Sequence, residues 1–436
     1  MEPWIIACII VVSLLALLLT GLPVAFALTG LSSLLLLIFL GPSALFMVVG
    51  AAFKQIGTEV FIAIPLFVFM AAVLQFSGIA SSLYKTMHMW MGPIRGGLAI
   101  GTIFICTIID ALSGIGATAT STMGLVALPE MIKRNYDKNM VVGAIAVGGA
   151  LGPLIPPSVL MIIVGGYAQL SVGKLFLGGV LPGLLISMGY AVYIGVRCMI
   201  RPQDGPAMGK EEQGTFWEKV KNLRFVILPM SLILFIMGGI YGGIFTPTEA
   251  AGFGALGAIF IAIIYGKLSI SNMTGALQLS LKVSCMIMWL VIGGGCYSAL
   301  ITVTGTGNLV LDILGGLPFG VTGIILVMLS ISLIMGMFID PVAICMICIP
   351  IFIPVLKALS IDPLWFMLLF VISVVIGYIT PPFGLNIFYM KGVAPDDVSV
   401  MDIYKGVIPF TIIKIGCLGL CIIFPWILTY LPSLMR

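Results

Sequence analysis

Charge is what this sequence has least of. Of its 436 residues only 20 are Lys or Arg and 16 are Asp or Glu, together 8% of the chain, and His88 is the single histidine. A soluble globular chain carries nearer about a quarter charged residues, so this composition cannot cover a water-facing surface. Long polar stretches are scarce as well. The longest, Arg197 to Arg224, leaves no room for a soluble domain. No Ser/His or Asp/Asp pairing at a credible depth is available for nucleophilic or acid–base chemistry, which leaves an intramembrane enzyme as a remote alternative. No phosphate-binding loop is present, so an ATP-driven permease would need a separate ATPase. The nine cysteines supply no metal framework: Cys345 and Cys348 have half of a zinc spacing but no second pair, and they lie in an apolar segment. The net charge of +4 comes from Lys and Arg scattered between apolar runs, which points to orientation in a bilayer rather than to nucleic acid.

What is abundant is apolar: 61% of the residues are hydrophobic. The length allows on the order of ten spans at ~20 residues each, and an all-α polytopic membrane protein is expected. Residues 3 to 21 and 23 to 40 form a tight helical pair around Gly21-Leu22-Pro23, the first read as a retained span because it lacks a basic start and a cleavage site. A third segment covers roughly 57 to 84. Residues 97 to 130 carry a polar middle and basic flanks at both ends, which predicts a re-entrant hairpin with its tip near Ser113 and Gly114.

Two later segments break the helical pattern in the same way. Gly152-Pro153-Leu154-Ile155-Pro156-Pro157 interrupts the apolar run 139 to 168, and Gly377-Tyr378-Ile379-Thr380-Pro381-Pro382 interrupts 363 to 392. Proline pairs remove backbone donors and clash with the preceding turn, so each run must open into two half-helices. Backbone freed at bilayer depth is tolerated where it packs in protein or lines a wet cavity, as in transporters.

Elements in fact recur in order. Residues 1–200 hold spans, the hairpin 97–130 and the broken helix 139–168; residues 225–436 hold spans, a hairpin at 320–356 with Gly336 to Pro341 at its tip, and the broken helix 363–392. Residues 201–224 join them, ending in an amphipathic stretch with Phe216, Trp217, Val220 and Leu223 set apart from Lys219, Lys221 and Arg224. About five crossings plus one hairpin per half make the halves inverted repeats with both termini outside, and this leaves most Lys and Arg, among them Lys210, on the cytoplasmic side and Lys54, Lys174, Lys357 and Arg436 outside.

Taken together, Ser113-Gly114 in a Gly- and Thr-rich tip, Leu151 to Ser158, Leu181-Pro182-Gly183, Thr248-Glu249-Ala250-Ala251, Asp340 and Thr380-Pro381-Pro382-Phe383-Gly384 resemble the large membrane subunit of TRAP transporters over essentially the whole chain. That resemblance implies an elevator-type fold in the bacterial inner membrane. It also implies sodium-driven import of small organic anions, such as C4-dicarboxylates or sialic acids, with a small four-span membrane subunit and a periplasmic substrate-binding protein as partners. The family's tip usually reads Ser-Gly-Ser-Ser, whereas Ile115 and Gly116 follow here, and Asp110 stands where the family more often has a small apolar residue. A stand-alone carboxylate transporter for citrate or gluconate is the near alternative.

Sodium takes oxygen ligands, and broken helices supply carbonyls. The expected cages are Ser113, Gly114, Gly152, Ile155 and Pro156 in the first half, and Gly336, Asp340, Gly377, Thr380 and Pro381 in the second. The bland alternative, that these residues only kink helices for packing, is weakened by their recurrence. Asp340 is the strongest single candidate, since an ionised carboxylate within a membrane segment costs at least ~2.5 kcal/mol unless paired or hydrated; otherwise it marks the turn. Ser113, Thr118, Thr120, Ser158 and Asn386 are the candidates for the anion; the competing reading is that hydroxyls in membrane helices bond their own backbone. Glu249 is expected to cap a helix, and His88 with Trp90 to anchor at the interface.

Overall fold

The computed structural model of the chain describes residues 2–114, 116–209, 215–315 and 320–435; the expectations placed on Ile115, Lys210, residues 211–214 and Arg436 fall outside them. It is all helical among the described residues. The first half runs α1 (Pro3–Leu19), α2 (Val24–Leu40), α3 (Leu45–Ile56), α4 (Ala63–Phe76), α5 (Ile79–Met91), α6 (Gly97–Ser113), α7 (Gly116–Lys133), α8 (Lys138–Gly148), α9 (Val159–Ala168) and α10 (Val172–Ile200). After α11 (Phe216–Asn222) come α12 (Arg224–Tyr241), α13 (Pro247–Ile264), α14 (Ile270–Val303), α15 (Thr306–Gly315), α16 (Gly320–Gly336), α17 (Pro341–Ala358), α18 (Pro363–Gly377), α19 (Leu385–Val393), α20 (Val400–Ile423) and α21 (Trp426–Ser433).

Among the described residues, seven helical stretches, 59–76, 172–200, 216–241, 247–264, 270–303, 341–358 and 400–423, are long and apolar enough to cross a bilayer. Many large apolar side chains face outward, among them Leu19, Phe46 and Ile270. In water such a surface would drive association; against lipid it costs nothing. Caps fix where helices begin. Thr246 and Glu249 close a reciprocal capping box at the start of α13, as expected of Glu249, and Ser399 with Asp402 does the same for α20.

The order hairpin, broken helix, long helix occurs twice: α6/α7, α8/α9, α10, and then α16/α17, α18/α19, α20. Packing repeats with it. Helix α2 lies on α14 and α13 lies on α4, while α7 meets α19 and α17 meets α9, so each hairpin touches the far half of the opposite broken helix. Helix α14 also packs on α3, α4 and α17, which makes it the common wall of the bundle.

Three expectations are corrected. The segment 57–84 is two helices meeting at Ser77-Gly78, where Gly78 adopts positive φ and the α-helical ladder cannot continue. The last span breaks at Phe424-Pro425 before α21. The stretch 201–209 is a docked strap: the Gly96 amide donates to the Gly205 carbonyl, Met208 to Gly92 and Asp137 to Asp204, at 2.8 to 2.9 Å. Only α11 presents the surface expected of an amphipathic segment, with Phe216 and Trp217 exposed. Trp90 on α5 lies beside it, its indole donating to the Lys219 carbonyl at 3.4 Å.

Candidate functional site

Gly114 ends α6 with φ +61, a conformation that suits glycine and turns the chain tightly into α7. The tip this makes presses onto the first opening: a Cβ on Gly114 would lie 2.9 Å from the Pro157 carbonyl oxygen and 3.0 Å from the Val159 amide. In the second half the tip presses onto its opening in the same sense, since a Cβ on Gly336 would lie 2.8 Å from the Val374 carbonyl oxygen and 2.9 Å from the Gly377 Cα. Both proline pairs, Pro156-Pro157 and Pro381-Pro382, are cis.

The two tips meet. Gly114, Gly116 and Pro153 from the first half and Asp340, Pro341, Val342 and Tyr378 from the second line one hollow of about 80 Å³, closed by α9 and by Val283, Met286 and Ile287 of α14. Three helices begin at its wall, α7 at Gly116, α9 at Val159 and α17 at Pro341. Helix N-termini carry partial positive charge, which suits an anion at the starts of α7 and α9, whereas at α17 Pro341 has no amide and Asp340 takes the Val342 amide. Asp340 adds one carboxylate, which suits a cation. It does double duty, because its Oδ1 accepts the Val342 amide at 2.9 Å and caps α17. The turn-marking role and the site role therefore coincide at this residue.

Other expected residues are placed differently. Ser113 and Thr118 line a smaller hollow of about 20 Å³ against α4 and α5, beside Gln75. Ile155 and Pro156 face an apolar cavity of about 300 Å³ shared with α6, α10 and α12. Gly152 is buried next to the Leu151 amide, which donates to Asp110 Oδ2 at 3.1 Å. Thr380 bonds its own helix, donating to the Ile376 carbonyl at 2.6 Å, and Pro381 is partly buried. Ser158 caps α9 and donates to the Pro153 carbonyl at 2.7 Å. Thr120 and Asn386 are joined to each other: the Asn386 amide donates to Thr120 Oγ1 at 2.8 Å and also to the Ala146 carbonyl, pinning α19 to α7 and α8. Asn386 Oδ1 has no hydrogen-bond partner among the described residues.

Sequence reasoning left out Gly116, Pro153, Tyr378 and Lys414. The first three were inside the quoted motifs but carry no side-chain charge to single them out. Lys414 had a signal, a lone basic residue in the middle of the apolar run 405–430.

A lipid-compatible bundle in which two hairpin tips and two interrupted helices border one small, largely apolar hollow that holds a single carboxyl group has the frame of a membrane transporter. The chain belongs to the DctM family: the family model described as tripartite ATP-independent periplasmic transporter, DctM component, matches residues 11–427. It is 31% identical to the C4-dicarboxylate TRAP transporter large permease protein DctM of Vibrio cholerae, over 97% of this chain and 96% of that one. It is 30% identical to the ectoine TRAP transporter large permease protein TeaC of Halomonas elongata, over 86% of each. Among solved structures it superposes on the YdaH transporter of Alcanivorax borkumensis with a TM-score of 0.62, at 15% identity, over 89% of this chain and 90% of that one, which is a likeness of fold.

Proposed function

We propose that this permease imports a small organic anion together with sodium, by an elevator step in which the paired hairpins and broken helices move as a body against the remaining helices. The observation that carries this is the shared hollow: it puts the start of three helices and one carboxylate around the same space. An anion is held by amides and helix ends without a basic side chain in the wall, and a cation is held by Asp340 and nearby carbonyls. C4-dicarboxylates are the first substrates to test, since the relatives named above are permeases for C4-dicarboxylates and for ectoine.

A small four-span membrane subunit and a periplasmic binding protein complete the transporter in this proposal, and the inner membrane houses it with both termini outside. Proteoliposomes containing permease and small subunit, supplied with binding protein and labelled succinate, malate, ectoine or sialic acid, test each part. Uptake is expected to need the binding protein and an inward sodium gradient. Undiminished uptake with potassium in place of sodium would remove the cation half of the proposal. Undiminished uptake without binding protein would favour a stand-alone carrier.

A further inference from the structure

Helices α8 and α20 run side by side from a common start. Lys138, the first residue of α8, reaches Asp402 in the first turn of α20 at 3.1 Å. One turn further on, a Cβ on Gly143 would lie 2.3 Å from the Gly406 carbonyl oxygen, so the two backbones touch. Parallel helices in backbone contact climb together at about 1.5 Å per residue. Lys414 lies as far beyond Asp402 as Ala150 lies beyond Lys138, which brings it level with the first opening. There Asp110 arrives from the hairpin arm and accepts the Leu151 amide. Tyr190 of α10 arrives from a third side, its ring 5.2 Å from that of Phe410, one turn before Lys414.

All three side chains are fully buried, and Asp110 Oδ1, Lys414 Nζ and the Tyr190 hydroxyl have no hydrogen-bond partner among the described residues. Among the described residues, Asp110 and Lys414 lie close enough to act on each other as opposite charges. A lone buried charge is far costlier than a facing pair of opposite sign. We propose that Lys414 is the resident counter-cation of Asp110, a positioning residue that holds the first opening to α20 and stands where a carboxylate at this depth would otherwise recruit a metal ion. The first opening thus carries its own cation, while Asp340 in the shared hollow is left for an exchangeable one. The pairing itself does not rest on sodium coupling; only the cation readout of its test does.

The test is a cycle of Asp110→Asn, Lys414→Met and the double variant in the transport-competent complex, with uptake and thermal unfolding measured across a sodium titration at constant ionic strength. Each single variant is expected to lose at least about 10-fold in uptake, and the double variant to recover to within about threefold of the parent, because removing both charges leaves neither orphaned. Lys414→Met is also expected to gain a sodium-dependent rise in Tm that the parent lacks at the same concentrations and the double variant loses. A merely structural lysine would not produce that response. Independent, multiplying losses in the double variant overturn the proposal, as do single variants that behave like the parent. If Lys414→Met does not fold, Lys414→Arg against Lys414→Gln decides: Arg is expected to keep at least a third of the uptake and Gln to lose it, and equal behaviour overturns the pairing. If the parent shows no sodium dependence, the transport proposal fails while the uptake cycle still reports on the pair.

Discussion

The two interruptions, written in nearly the same residues, are finished differently. Residues 149–158 are all buried, and a carboxylate, Asp110, answers the amide that the first break frees. Around the second break Pro382 and Phe383 are exposed, and the chain is held by neutral groups: the Gly384 amide donates to the Met337 carbonyl at 2.9 Å, Asn386 to Tyr378 at 3.1 Å, and the Tyr404 hydroxyl to the Pro382 carbonyl. The carboxylate of the second half sits instead at the hairpin tip, at Asp340. At one break a carboxyl from its own hairpin takes a freed amide, and in the other half the carboxyl lines the hollow. The same order of elements places its acidic residue in two different settings.

The sharpest way to break that contrast is at the second carboxylate. Asp340→Asn keeps an N-cap acceptor for α17, so the helix is expected to persist while uptake falls at least about 30-fold at low sodium and half-saturation moves to higher sodium. Flux measured against sodium concentration checks this; a curve like the parent's would leave Asp340 as a cap alone. Next come the tips. Gly114→Ala forces a Cβ toward backbone at 2.9 Å in a left-handed conformation that costs about 1–2 kcal/mol more, whereas Gly336→Ala meets backbone at 2.8 Å without that conformational term. Uptake and Tm are therefore expected to drop in both and further in Gly114→Ala; the reverse order would show that the second tip is the more tightly held.

Asn386→Ala removes the bond that ties the second broken helix to Thr120 and Ala146. A loss of about 1–2 kcal/mol in stability and a several-fold loss in uptake are expected, read by thermal unfolding and initial rates. The smallest effect is expected for Tyr404→Phe, which deletes one neutral bond at the exposed break: about 1 kcal/mol or less, and uptake within about threefold of the parent. A larger loss there than for Asn386→Ala would reverse the ranking of the two contacts.

Much of this frame was legible from breaker residues and apolar run lengths. Gly-x-x-x-Pro-Pro located both openings, and the polar tips at Ser113-Gly114 and Gly336 to Pro341 located both hairpins. What periodicity cannot give is which way a side chain turns once helices are interrupted. Ser113 and Thr118 therefore line a separate hollow, and Thr120 and Asn386 bond each other, because a hydroxyl or amide in a dry interior takes the nearest partner. The break at Ser77-Gly78 did carry a signal, a Ser-Gly pair between Gln75 and Ser81-Ser82, which reading 57–84 as one segment passed over. Lys414 was visible but unassigned, since its significance comes from the register of α8 and α20, which only packing reveals.

Helix α14 has 34 residues and so rises about 51 Å, against a hydrocarbon layer about 30 Å thick. It must lean or protrude, and the angle of a leaning rod changes with the thickness of the lipid around it. Because Val283, Met286 and Ile287 on that rod form one side of the hollow, any change in its lean would carry that wall with it.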